Sequence, residues 1–136
     1  MQLVEQHVIR KKDPRFEQID WAAFLSKNLY NAANYLVRQA FILEHHYILY
    51  NQMDKLMKSS PDYCALPRKV SQWVLKQLEH DWQVFFAASR AYRENPDAFT
   101  GHPKIPQYKH KTEGRNLLTY TIQAISQIGL KQGVVR

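Results

Sequence analysis

The chain has a single cysteine, Cys64, and four glycines, none of them before Gly101. A lone cysteine excludes an intrachain disulfide and a cysteine-based zinc site, and it fits a reducing, cytosolic setting. The glycine distribution leaves no glycine-rich phosphate loop. No run of about 18 apolar residues occurs, so no membrane span is expected. The start, Met1-Gln2-Leu3-Val4-Glu5, lacks the charged and apolar regions of a signal peptide. Twelve carboxylates are present, none in a recognisable catalytic pair. Glu79 and Asp81, two apart on a helix, do not share a face. His45 and His46 point about 100° apart on a helix, and no helical histidine pair at metal-binding spacing exists. No nucleophile elbow occurs. No catalytic residue, metal ligand or cofactor is therefore assigned to this chain.

What is abundant is positive charge. The 136 residues carry a formal net charge of +7, which speaks of partners and not of fold. The charge is uneven: residues 1–16 hold four basic and two acidic residues, residues 17–95 nine and eight, and residues 96–136 six and two. A neutral middle lies between two basic ends. The length is that of one domain with a real core.

Gln2 to Ile9 alternates imperfectly and reads as a strand, followed by the basic turn Arg10-Lys11-Lys12-Asp13-Pro14. Asp20 reads as the N-cap of a long helix. Trp21, Phe24, Leu25, Leu29, Ala32, Ala33, Leu36, Val37 and Ala40 form its apolar stripe. The helix either continues or restarts through His45-His46 to about Lys58, before a turn at 59–62. A second helix runs from Pro67 to about Arg93, with Val70, Trp73, Val74, Leu78, Trp82 and Phe85 on one period, and Asn95-Pro96 ends it. Leu117 to Ile122 is β-rich, and Gln127 to Val135 reads as a further strand or hairpin. Isolated strands are not stable, so the two ends should meet. The expected fold is α+β: residues 1–16 and 97–136 form a split, incomplete β-barrel-like part, and residues 17–96 form a helical insertion. Unpaired strand edges in such a barrel should favour self-association.

Three features suit a nucleic acid. In Gly101-His102-Pro103-Lys104-Ile105-Pro106-Gln107-Tyr108-Lys109-His110-Lys111, two prolines hold the backbone extended while Lys104, Lys109 and Lys111 flank Tyr108. Such a strip is either a polyanion track or a solvated loop. Lys27, Asn31, Asn34 and Arg38 make one polar stripe on the first helix, either a solvated face or a set of phosphate and base contacts. Arg68 and Gln72 are four apart at the start of the second helix. They are either a surface pair or readers of guanine and adenine edges. Tyr50 and Tyr108 are the tyrosines best placed for nucleotide contact.

Leu29-Tyr30-Asn31, the segment Ala65-Leu66-Pro67 leading into a glutamine-bearing helix, Phe85-Phe86, the strip from Gly101 to Lys111, and Leu117 to Ile122 follow one another in an order that resembles the N-terminal part of the TnpB (OrfB) family. These are insertion-sequence proteins related to type V CRISPR effectors. The resemblance implies a wedge β-barrel interrupted by a helical recognition domain in an RNA-guided DNA endonuclease. There the protein reads a short duplex motif while base pairing reads the target. Carried over by position, the motif-reading set is Tyr50, Arg68, Gln72 and Thr121. The guide-RNA and phosphate contacts are Arg10, Lys11, Lys12, Asn31, Arg38, Lys104, Tyr108, Lys109, Lys111 and Arg115. Double-stranded DNA and guide RNA are the implied partners, and a cytoplasmic, nucleoid-associated location follows. The RuvC-like nuclease domain, with its magnesium-binding carboxylates, is expected to lie beyond Arg136, so this chain is not expected to cut DNA on its own.

Two alternatives stand beside this reading. One is a helical protein–protein or dimerisation module in which the charge only confers solubility. The other is a helix-turn-helix regulator, although no compact pair of helices joined by a three- or four-residue turn is visible.

Overall fold

The structure, a computed structural model, describes residues 4–120. Four α-helices follow one another: α1 (Phe16–Glu44), α2 (Tyr50–Met57), α3 (Pro61–Cys64) and α4 (Arg68–Glu94), with a single 3-10 turn at Pro96–Ala98. No helix among the described residues is long and apolar enough to cross a membrane.

Each helix boundary has a local cause. Before α1, the Asp13 carboxylate accepts the Arg15 backbone N–H at 2.9 Å and its guanidinium at 2.9 and 3.1 Å, while Phe16 N–H closes on the Asp13 carbonyl. The Arg15 hydrogen bonds hold the Asp13 carboxyl down to about 2. The start at Phe16 corrects the expected cap: Asp20 lies inside α1 and pairs with Arg115 instead. α1 stops at Glu44 because His45 adopts a left-handed conformation (φ 53°), and the backbone N–H groups of His45 and His46 both turn back onto the Ala40 carbonyl. Ser60 Oγ caps α3 through Tyr63 N–H at 3.2 Å. Pro67 immediately precedes α4, and Asn95-Pro96 terminates it.

α1 and α4 form the main helix pair and run in the same direction. Tyr30 meets Asp81, Asn34 meets Trp82 and Phe41 meets Phe85 in ascending order. Two parallel helices need a long return connection, which residues 45–67 supply with α2 and α3 packed across the pair. Leu29, Ala33, Val37 and Ala40 of α1 are buried with Val70, Val74, Leu78 and Trp82 of α4, and Met53, Met57, Tyr63 and Leu66 close the core from the connection. Trp82 is fully buried among Phe41, Tyr47, Phe85 and Phe86. Its indole N–H reaches Asn34 Oδ1 at 3.1 Å. Trp21 departs from the expected stripe: it is 60% exposed and stacked on Phe24.

The α+β expectation is not met. Among the described residues there is no strand. Residues 4–9 are exposed or half-exposed without regular structure, and residues 99–120 run as irregular chain apart from a turn at 111–113. The physical reason is in the partners. A strand is stabilised by a neighbouring ladder, whereas here the backbone of residues 106–117 is bonded by side chains of α1. The strand edges expected to drive self-association are absent among the described residues for the same reason. Thr121 and the hairpin expected at 127–135 lie outside the described residues.

Candidate nucleic-acid interface

The polar stripe of α1 is not a freely solvated face: Lys27 and Asn34 are buried, and Asn31 and Arg38 are half-buried. It is the attachment line for the proline- and lysine-rich strip, which descends along α1 against the helix direction. Asn34 Nδ2 donates to the Pro106 carbonyl at 3.0 Å, with Arg38 Nη1 on the same oxygen at 3.4 Å. Asn31 donates to the Lys109 carbonyl at 2.9 Å and accepts the Lys109 N–H at 2.9 Å. Lys27 Nζ donates to the Lys111 carbonyl and to Asn28 Oδ1. Lys27 is almost fully buried, and burial followed by the nearby Arg115 charge pushes its pKa down.

Lower on α1 the attachment becomes a buried polar network. Ser26 Oγ donates to the Leu117 carbonyl at 2.7 Å and accepts from Asn116 Nδ2 at 3.0 Å. Asn116 and Gln77 exchange amide hydrogen bonds at 3.0 and 3.1 Å, tying the strip to α4 as well. Ser26, Gln77 and Asn116 were not singled out from the sequence. Their spacing carries no signal because the network closes across some 90 residues of chain. A fully paired polar network of this kind specifies one docking of the strip.

The strip therefore presents only part of its expected cationic set. Arg115 is held by Asp20 at 2.8 and 3.1 Å and by the Thr112 and Gly114 carbonyls. Arg38 lies over the Tyr108 ring at 4.7 Å, and Lys109 Nζ over the Tyr30 ring at 4.8 Å. Those contacts give Asn31, Arg38, Tyr108 and Arg115 internal partners in holding the strip, while Tyr108 and Arg115 stay exposed and Asn31 and Arg38 half-buried. Lys104 and Lys111 have exposed side chains, as do Arg10, Lys11 and Lys12 in the turn before α1.

Three of the four residues expected to read a motif lie near one another, where α2 meets the start of α4. Tyr50 opens α2, Arg68 opens α4, and Gln72 is one turn further along α4. Tyr63, buried between them, donates its hydroxyl to Asp54 at 2.8 Å and faces Gln72 and Arg68. Burial, then the Asp54 hydrogen bond, raises the Tyr63 pKa; burial, then the Asp54 charge, raises that of Tyr50. Glu79 accepts the Tyr50 backbone N–H, which fixes the start of α2 against α4. Arg68 is exposed and Gln72 half-buried. Lys76, one turn beyond Gln72, lies 5.3 Å over the Tyr50 ring and 4.8 Å over the Trp73 ring. It extends the row Arg68, Gln72, Lys76 at helical steps of four, a regularity legible in the sequence. The row offers guanidinium, amide and ammonium donors with the Asp54 acceptor behind them, a chemistry suited to base edges in a groove.

Among the described residues no group of histidine, cysteine, aspartate and glutamate side chains is placed to hold a metal ion. Comparison with known proteins finds no matching family model, no matching curated protein and no matching solved structure.

Proposed function

We propose that this chain is a nucleic-acid recognition module of the TnpB type, which holds guide RNA and reads a short duplex motif through the start of α4. Its part in the reaction is recognition, not bond cleavage. The observation that carries the reading is the convergence of Arg68, Gln72 and Tyr50 on one accessible face, with Lys76 continuing the row. The first turns of a helix are where base-reading side chains reach into a major groove. Arg10, Lys11, Lys12, Lys104 and Lys111 supply exposed charge for backbone contact.

The test is selection from a randomised DNA duplex library at two salt concentrations, with and without RNA. Enrichment of a short motif that disappears in Gln72→Ala supports the reading. A motif unaffected by Gln72→Ala removes the role assigned to that residue, and salt-sensitive binding with no motif reduces the chain to a general polyanion binder.

The corner between α1 and α2 favours a second reading as a protein-contact module. Ile42, Leu43 and Leu49 there are 50, 69 and 58% exposed. Sedimentation of a stable dimer that does not bind heparin would establish it.

A further inference from the structure

A second face, remote from Arg68 and Gln72, has the features of a nucleotide site. Near the C-terminal end of α4 an open groove of about 700 Å³ has Phe41, Phe85 and Phe86 in its floor. Its far wall is the pair Tyr92 and His102, whose rings lie 4.5 Å apart and whose side chains hydrogen-bond at 3.2 Å. Arg90 and Arg93 line the same groove, both exposed. Neither forms an ion pair among the described residues. Neither was singled out from the sequence, although a basic pair three apart beside Phe85-Phe86 is a readable signal.

The groove continues. An adjoining channel of about 500 Å³ shares Phe85 and Pro103 with it and is edged by Lys104 and Lys109. Its one carboxylate, Asp81, is occupied by the Tyr30 hydroxyl at 2.6 Å. The two together form a track between α4 and the strip, with Phe85 common to both, Arg90 and Arg93 lining the first part and Lys104 and Lys109 the second.

We infer that this track binds unpaired nucleotides, with bases laid against the aromatic floor and phosphates held by Arg90, Arg93, Lys104 and Lys109. The charge is complementary to a phosphate chain, and the volume suits a nucleotide-sized ligand. Apolar floor and cationic rim together match single strands, whose base faces are free to stack. A duplex keeps those faces covered and presents its phosphates to a convex surface. The inference shares Lys104 with the backbone contacts proposed above and deepens the RNA-holding part of that reading, but it is independent of the duplex reading by Arg68 and Gln72, which lie outside the track.

The experiment is fluorescence anisotropy of the full chain with a labelled oligouridine and its deoxythymidine counterpart, each about a dozen nucleotides long. Arg90→Glu with Arg93→Glu should weaken binding roughly a hundredfold at low salt. The charge-matched control Lys55→Glu with Lys58→Glu, on α2 and its C-terminal cap, should weaken it only a few-fold. Equal losses in both double variants would overturn the inference, as would absence of binding to either strand. Preference for one strand identifies which sugar the track accepts and supports the inference in either case. Photocrosslinking of a thiouridine-bearing strand to the unaltered chain needs no variant to fold. It should tag the segment from Tyr92 to His102, and tags confined to other segments would overturn the assignment. A loss of strand binding leaves the Gln72 duplex assay unaffected, so the two proposals fail separately.

Discussion

The Asn31 side-chain amide and the Lys109 backbone exchange both hydrogen bonds of a β-type pair, Nδ2 donating to the Lys109 carbonyl and Oδ1 accepting the Lys109 N–H, each at 2.9 Å. The asparagine acts as a one-residue strand for the strip to pair with. Asn31→Ala should cost about 1–3 kcal/mol, since two half-buried bonds are lost and the Lys109 groups are left in poor solvation. Urea denaturation measures the cost, and hydrogen exchange should show faster exchange at Lys109. Asn31→Asp retains the acceptor but sets a carboxylate against the Lys109 carbonyl, so it should not restore stability.

Gln72→Ala should remove motif preference while leaving salt-sensitive binding intact. Loss of a bidentate base contact is worth about 1–3 kcal/mol, or roughly tenfold to a hundredfold. Competition between the enriched duplex and a scrambled one measures it. An equal loss on both duplexes would assign Gln72 to folding or to the phosphate backbone.

Stability should fall steeply at alkaline pH. Burial raises the hydroxyls of Tyr30, Tyr47, Tyr50 and Tyr63 above the ordinary phenol value of 10.0. That of Tyr47 is pushed up to about 12, and this oxygen is buried with no hydrogen-bond partner among the described residues. Between these values the unfolded chain loses protons that the folded chain keeps. The stabilisation is therefore complete below pH 10 and lost as pH rises toward 12. Melting temperatures across that interval provide the check, and Tyr47→Phe should flatten the dependence and melt at or above the parent.

His45→Gly should stabilise the chain by a few tenths to about 1 kcal/mol, because a residue with a Cβ occupies a left-handed position that glycine adopts without strain. Thermal melting tests the sign. A loss would mean that the His45 side chain makes a contact worth more than the strain.

The long helices were readable because an amphipathic helix writes its core face into local spacing: Leu29, Ala33 and Val37, then Val70, Val74 and Leu78, are buried as their period requires. The end of α4 at Asn95-Pro96 was equally local. Trp21 shares the period of α1 yet is exposed, because period alone does not say where a partner helix stops. The clustering of Tyr50 with Arg68 was legible only through resemblance, since those residues lie on different helices.

The sequence by itself determined two amphipathic helices, the ends of the second, and a stiff basic segment after them, because these depend on neighbours within a turn or two of chain. Tertiary structure alone decided what Lys27, Asn31, Asn34 and Arg38 do. A polar side chain on a helix is indifferent between water, a ligand and another stretch of backbone until a donor or acceptor is brought within about 3 Å. Here the strip supplies those partners from 68 to 84 residues away. The same docking replaced an expected sheet with side-chain bonds and left a cationic, aromatic-floored groove between the strip and α4.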